Sequence, residues 1–315
     1  MFGDSLSDTG NIAELNRGVL EPLGLYPLPW PPFYENRLSN GPVAVDVLAG
    51  LLGLDARAWL DFDSSIGELP GTNYAIAGAR ARDKHEDPID LADQVLHFLY
   101  PIPPYQIPRI APDVALYMVM IGGNDVRDAA DILFSSHLPG GPSEEIAEII
   151  VQTMIKDAVQ KIASNLKMLR SAGAKTFYVV NAPNIGLIPE TLLKAAYLKD
   201  TMGIDGYSRD IAKLTEKFNK KLRNTIHKFD KKHDANVLAF NLYEYSNWIN
   251  KNHEILELEN VTDFCVQWSL ETLTIDVFCG FQEFNSWAFF DPIHPSGVVH
   301  NLIGQELFTK LSTPE

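Results

Sequence analysis

Three side-chain types in this sequence have the spacing for nucleophilic catalysis: a hydroxyl, an imidazole and a carboxylate. The hydroxyl is Ser5, in Phe2-Gly3-Asp4-Ser5-Leu6-Ser7-Asp8-Thr9-Gly10-Asn11. The other two are Asp291 and His294, in Asp291-Pro292-Ile293-His294-Pro295-Ser296. Attack on an acyl carbon needs a nucleophile, a base to take its proton, a group to orient the base, and donors for the oxyanion. Ser5 follows a strand end and precedes a predicted helix, where a hydroxyl can stand exposed. Taken alone, it is better read as a helix N-cap. His294 comes three residues after Asp291, and Pro292 and Pro295 restrict the loop. So short a segment can hold the carboxylate against one ring nitrogen while the other faces Ser5, fixing the tautomer and stabilising the imidazolium. The plain alternative is a loop histidine beside an Asx turn. His300 is the nearest rival base, in the more apolar stretch Val298–Ile303, on a predicted helix. His85, His97, His137, His227, His233 and His253 have no motif around them.

Two further blocks carry donors. Gly78 lies in Asn73-Tyr74-Ala75-Ile76-Ala77-Gly78-Ala79, and Asn124 in Gly122-Gly123-Asn124-Asp125, directly after the apolar run Val114–Ile121. A glycine lets a backbone N–H approach a substrate closely, and a side-chain amide can donate to developing negative charge without being charged itself. The alternatives are a strand-end turn for Gly78 and a turn residue for Asn124. Asp8, Asn11 and Asp125 read as supports of loop geometry. The sequence has no G-x-x-x-x-G-K-[ST], no H-E-x-x-H and no C-x-x-C. Gly3-Asp4-Ser5-Leu6-Ser7 lacks the final glycine of a G-x-S-x-G elbow.

These residues need a scaffold, and the pattern of the 315 residues supplies one. Three apolar runs, Val114–Ile121, Thr176–Val180 and Val237–Phe240, predict parallel strands covered on both faces. Between them the spacing predicts helices over about Ser143–Ala172, stopped by Gly173, and about Tyr207–Lys232. In the first, Ile146, Ile149, Ile150, Thr153, Met154 and Asp157 are read as alternating stripe and polar face. In the second, Ile211, Leu214, Phe218, Leu222 and Ile226 form the stripe, and Lys213, Lys217, Lys220, Lys221, Lys228, Lys231 and Lys232 a solvated face. Strand–helix–strand alternation gives an α/β fold with a parallel sheet. Two proline-rich stretches, Pro22–Pro42 and Pro101–Pro112, read as packed surface loops because Tyr26, Trp30, Phe33, Tyr34 and Tyr105 are interleaved. Hydrophobic residues at 46% and a net charge of -15 suit a globular protein and argue against nucleic-acid binding or electrostatic attachment to anionic membranes. The apolar run of Val114–Ile121 is too short to cross a bilayer.

The four blocks, in order and spacing, resemble the GDSL, or SGNH, serine hydrolase family. Arg37-Leu38-Ser39-Asn40-Gly41-Pro42-Val43 also resembles a recurrent segment of its lipase-like members. The resemblance spans nearly the whole chain. It implies one SGNH hydrolase domain over residues 1–315, with a three-layer α/β/α flavodoxin-like fold and a mostly parallel five-stranded sheet. The site would lie at the carboxyl ends of the strands. It implies catalytic roles for Ser5, Asp291 and His294, an oxyanion hole of Ser5, Gly78 and Asn124, and no metal or organic cofactor. It implies a lipid or small ester substrate, foremost a phospholipid or lysophospholipid, with acyl transfer to another alcohol where the acceptor outcompetes water. The rivals are an esterase for short acyl or acetylated-carbohydrate esters, and a catalytically silent binding module on the same scaffold. Intact Ser5, Asn124, Asp291 and His294 argue against the last. Only Met1 and Phe2 stand where a first strand is expected, so that strand is read as truncated, and no signal segment precedes the motif.

Cys265 and Cys279 are the two cysteines. Bonded, they would close a short loop worth roughly 3 kcal/mol in the chain-entropy model and point to an oxidising compartment. The alternative is a pair of buried free thiols. The enclosed segment, which includes Trp268, Leu270, Glu271, Leu273, Ile275 and Phe278, is apolar for a loop, and Phe281, Phe284, Trp287, Phe289 and Phe290 follow. It reads equally as a lid over an acyl-chain groove or as a strand packed in the core. The arrangement resembles secreted bacterial GDSL phospholipases and glycerophospholipid–cholesterol acyltransferases. That resemblance implies export, contact with a membrane interface, and a protease that activates the enzyme by cutting loop 265–279.

Overall fold

A computed structural model describes residues 1–23, 28–29, 31–62, 68–83, 89–100, 109–269, 272, 274–280 and 282–313. Tyr26, Trp30, His85, Tyr105, Leu270, Glu271, Leu273 and Phe281 lie outside the described residues. In chain order the elements are β1 (Phe2–Gly3), α1 (Asn11–Leu20), α2 (Ala44–Leu51), α3 (Leu91–Leu99), β2 (Leu116–Met120), α4 (Gly123–Ser136), α5 (Glu144–Ser171) and β3 (Thr176–Val180). Then come α6 (Pro189–Met202), α7 (Tyr207–His233), β4 (Asn236–Phe240), α8 (Leu242–Lys251), β5 (Asn260–Phe264), β6 (Val266–Ser269), β7 (Thr274–Val277), β8 (Trp287–Phe289) and α9 (Gly297–Ser312).

The apolar runs become a parallel sheet in the order β1-β2-β3-β4. Its register runs from Leu116 and Thr176 to Met120 and Val180, and likewise from β3 to β4. Because side chains alternate across a strand, the run in β2 splits between two cores. Tyr117 and Val119 pack with the helices α3, α4, α5 and α7, while Met118 and Met120 pack with α2, α8 and α9. That split explains an uninterrupted apolar sequence and makes the fold a three-layer α/β/α sandwich.

Four strands, rather than the expected five, form the sheet among the described residues. The segment 73–77 occupies the place beside β1: Tyr74 N–H donates to Met1 O and Ile76 N–H to Gly3 O, at 2.9 and 3.2 Å. It makes only half a ladder, because Gly3 N–H is given to Gln94 Oε1 and Gln94 Nε2 donates back to Gly3 O. A side chain of α3 thus replaces the reciprocal backbone bond.

The α7 stripe is as its spacing predicts, with Ile211, Leu214, Phe218, Leu222 and Ile226 buried and the lysine face exposed. The α5 stripe differs. Ile146, Ile149 and Ile150 are exposed, and the buried face runs through Ala147, Val151, Ile155, Ala158, Ile162, Leu166 and Leu169. Small Ala147 and Ala158 allow close approach to neighbouring elements, so the buried face is the less conspicuous one.

Two small sheets lie outside the three layers. β5 pairs with β8, and β6 with β7 as an antiparallel hairpin. Cys265 and Cys279 form a disulfide across the base of that hairpin. The hairpin's inner side belongs to a third apolar cluster with Ala13, Leu28, Phe33, Leu38, Phe284 and Phe290, and Ile275, Val277 and Phe278 are exposed on it.

Candidate active site

Ser5 stands in the tight turn that leaves β1. Leu6 N–H donates to Asp4 Oδ1 and Ser7 N–H to Asp4 O, which bends the chain at Ser5. The N-cap of α1 is Gly10, five residues on, so the capping alternative for Ser5 does not apply. The Ser5 hydroxyl lies 2.9 Å from His294 Nε2, and His294 Nδ1 lies 2.7 Å from Asp291 Oδ2. Ser5 and His294 are 289 residues apart in sequence.

The two oxygens of Asp291 make different contacts. Oδ1 accepts the backbone N–H groups of Ile293 and His294, forming the Asx turn. Oδ2 accepts from His294 Nδ1 and from the Trp268 indole N–H at 2.8 Å. Burial alone would raise the Asp291 pKa, but the charge of His294 and the hydrogen bonds from His294, Trp268 and Ile293 bring it below the ordinary carboxylate value. An ionised carboxylate only accepts, so Nδ1 carries the imidazole proton and Nε2 is left to accept from Ser5. His300 does not compete: it is buried on α9, and its Nδ1 accepts from Ala44 N–H at the start of α2.

Gly78 and Asn124 border the same cleft as Ser5 and His294, with Arg127, Ile12, Leu38, Ala77, Trp268 and Ile293. Gly78 has φ +85, a left-handed conformation that favours glycine, and a Cβ there would meet nothing within 4 Å. The space above its backbone is therefore open to a ligand. Asn124 sits in the first turn of α4, whose N-cap Gly122 has φ +116 and is pressed against Phe218, so a Cβ there would lie 2.4 Å from the ring. The Asn124 amide is held at both ends: Nδ2 donates to Ala79 O, and Oδ1 accepts from Arg127 Nη1 at 3.1 Å. Among the described residues its second N–H has no partner. Arg127 is itself forked onto Glu190 at 2.9 and 3.1 Å.

The supporting carboxylates pin these loops. Asp8 accepts four backbone N–H groups, from Gly10, Asn11, Ile12 and Ala77. Asp125 accepts from Ala81 N–H, Arg82 N–H and Arg82 Nε. Asn11 donates to Asn73 O and Ala75 O and accepts from Leu60 N–H. Burial raises Asp4 to about 7 and Asp8 and Asp125 to about 6.

A second pocket, of about 90 Å3, opens on the other side of Ser5 and Asn124. It runs between α8, β8 and α9, and its lining is overwhelmingly apolar, including Ile188, Leu242, Ile249, Phe289 and Ile303. Trp268 and Arg127 were not among the residues expected from sequence. Arg127 had a readable signal, since it lies three residues after Asn124 on one helix.

A serine–histidine–aspartate chain at the carboxyl ends of a parallel sheet defines a serine-hydrolase type of site. The model of the GDSL-like Lipase/Acylhydrolase family matches residues 1–307, and the chain belongs to that family. It is similar to a GDSL esterase/lipase of Zea mays, at 28% identity over 77% of this chain and 63% of the relative. A GDSL esterase/lipase of Arabidopsis thaliana is 28% identical over 61% of this chain and 51% of its own. A second Arabidopsis thaliana GDSL esterase/lipase is 26% identical over 98% and 87%. The chain thus spans less than two thirds of the first two relatives. All three are plant proteins, whereas the cysteine loop led to an expectation of bacterial phospholipases and acyltransferases.

Proposed function

We propose that the protein hydrolyses carboxylic esters with Ser5 as nucleophile, His294 as general base and acid, and Asp291 as the group that orients His294. The observation that carries this reading is the unbroken chain from Ser5 Oγ through His294 to Asp291, at 2.9 and 2.7 Å. Neutral His294 takes the Ser5 proton on Nε2 as Oγ attacks the ester carbonyl. The imidazolium is stabilised by Asp291 Oδ2. The oxyanion is received by the N–H groups of Ser5 and Gly78 and by the free N–H of Asn124 Nδ2. His294 then protonates the leaving alcohol, and water, activated by the same nitrogen, releases the acid.

The apolar pocket beside α8 and α9 suits an acyl chain, which supports a fatty-acyl ester such as a phospholipid or lysophospholipid. Exposed Ile275, Val277 and Phe278 near the cleft support contact with a lipid interface, and the disulfide supports an exported protein. The small volume of that pocket favours a second reading, an esterase for short acyl groups. The hairpin of β6 and β7 is better read as a support for Asp291 than as a lid awaiting a protease.

The test is serine-dependent turnover of p-nitrophenyl esters from acetate to palmitate, together with fatty-acid release from lysophosphatidylcholine, for wild type and Ser5→Ala. Long-chain release that Ser5→Ala abolishes supports the lipid reading, and turnover confined to acetate and butyrate supports the short-ester reading. A wild type that neither turns over any ester nor labels with a fluorophosphonate would be a binding module.

A further inference from the structure

Trp268 approaches the catalytic chain from outside the Ser5, Asp291 and His294 motifs. Its indole N–H donates to Asp291 Oδ2, the oxygen that also accepts from His294 Nδ1. We propose that Trp268 is a positioning residue for the Asp291 carboxylate, and that the Cys265–Cys279 hairpin is the frame that carries it. The inference rests on the reading of Ser5, His294 and Asp291 given above.

Two backbone donors fix Asp291 Oδ1. On Oδ2, Trp268 is the second donor beside His294, and without it that oxygen is restrained by the imidazole alone. A carboxylate held at one oxygen and by a mobile ring can pivot; one held by four donors cannot. The indole is fixed in turn. Its ring meets Phe33 edge-on at 5.5 Å, and Phe33 meets Phe290, the residue before Asp291, edge-on at 5.2 Å. The backbone repeats this connection: Cys265 N–H and Val266 N–H both donate to Phe290 O, and Phe278 N–H donates to Cys265 O. Trp268 pairs with Ile275 across the hairpin, so the strand that carries it is held by β7 and by the disulfide at its base. The loop bearing Asp291 and the hairpin bearing Trp268 therefore move together. Trp268 also lines the cleft over Gly78, so the same ring faces whatever occupies it.

The effect of the donor has a sign. The indole N–H draws charge from Oδ2. Its loss leaves that charge for His294 Nδ1, which strengthens the pull of Asp291 on the imidazolium. Among the described residues Asp4 and His300 also interact electrostatically with His294, and neither is substituted in the variants below.

Trp268→Phe keeps a ring against Phe33 and removes the N–H. Its kcat on an ester substrate is expected to fall about tenfold with KM within about twofold. The acid limb of its kcat/KM profile is expected to move up by about half a pH unit. The pair Cys265→Ala and Cys279→Ala tests the same contact without touching Trp268, should Trp268→Phe fail to fold. It should lower kcat in the wild-type background and add little in the Trp268→Phe background, because both act through one hydrogen bond. An unchanged kcat with an unmoved acid limb in Trp268→Phe overturns the role of Trp268. A fully multiplicative loss when the cysteine pair is added to Trp268→Phe overturns the role of the hairpin. Fluorophosphonate labelling of wild-type Ser5 checks the parent reading separately, and its absence overturns both.

Discussion

Asn124 shows how little freedom a donor keeps once its neighbours are counted. One N–H is spent on Ala79 O and its oxygen on Arg127, and the guanidinium of Arg127 is itself clamped by Glu190. The remaining N–H therefore points in one direction, and in the reaction proposed above it meets the oxyanion without having to rotate. Two graded predictions follow from that arrangement. Asn124→Ala, which deletes the donor, should lower kcat by roughly 10²–10³ with the fold intact. Arg127→Met keeps the donor but frees the amide to turn, and should lower kcat by roughly tenfold, mostly without change in KM. Steady-state kinetics on a p-nitrophenyl ester read both, and the idea fails if Arg127→Met is as damaging as Asn124→Ala or has no effect. Arg127 could have been read from sequence by its helical spacing to Asn124. Trp268 could not, because its bond to Asp291 depends on a hairpin whose register no local pattern announces.

At the scale of elements, legibility followed burial. β2 and β3 stand out because strands buried on both faces are apolar without interruption, edge strand β4 keeps an apolar run although only Phe240 in it is buried, and α7 stands out because its lysine face sets off the stripe opposite. In α5, three isoleucines near the start drew the stripe to the wrong side, while the helix packs through alanines whose size, not hydrophobicity, suits the contact. The sheet stops at four strands among the described residues because Gln94, far away in sequence, supplies a bond that a neighbouring strand would make. The segment 73–77 beside β1 leads directly into Gly78 and is tied to the start of α1 by Asp8, whose carboxylate gathers N–H groups from Gly10, Asn11, Ile12 and Ala77. Asp8→Ala leaves those buried donors without a partner. It should destabilise the protein by roughly 2–5 kcal/mol in urea unfolding. It should also lower activity of the folded fraction, since Gly78 follows Ala77 directly. A loss of stability below about 1 kcal/mol would mean that the two segments hold together without Asp8.

Across the whole molecule, buried titratable groups respond to acid in opposite senses. His300 sits in the layer of α2, α8 and α9, where its Nδ1 ties α9 to the first N–H of α2. Burial, and then the charge of His294, lowers its pKa from 6.5 to about 3. The folded chain therefore refuses a proton that the unfolded chain takes up below pH 6.5, so the stability from this contact is present above that pH and lost as pH falls towards 3. Asp4, Asp8 and Asp125 act in the opposite sense. Burial raises them to about 7, 6 and 6, so the folded chain holds protons the unfolded chain has released, and they add stability as pH falls through those values. These contributions overlap in pH, and a difference between variants is needed to see one. His300→Gln keeps an oxygen to accept from Ala44 N–H and cannot titrate. It should be less stable than wild type by about 1–2 kcal/mol near neutral pH, where only packing and hydrogen-bond geometry separate them. The gap should close at about 1.4 kcal/mol per unit as pH falls below 6.5, and then reverse, because wild type alone pays to keep an imidazole neutral. Urea unfolding of the pair at several pH values reads that slope directly. A gap that stays constant with pH would mean that His300 takes up its proton in the folded state, and that the layer under the active site is wetter than its burial indicates.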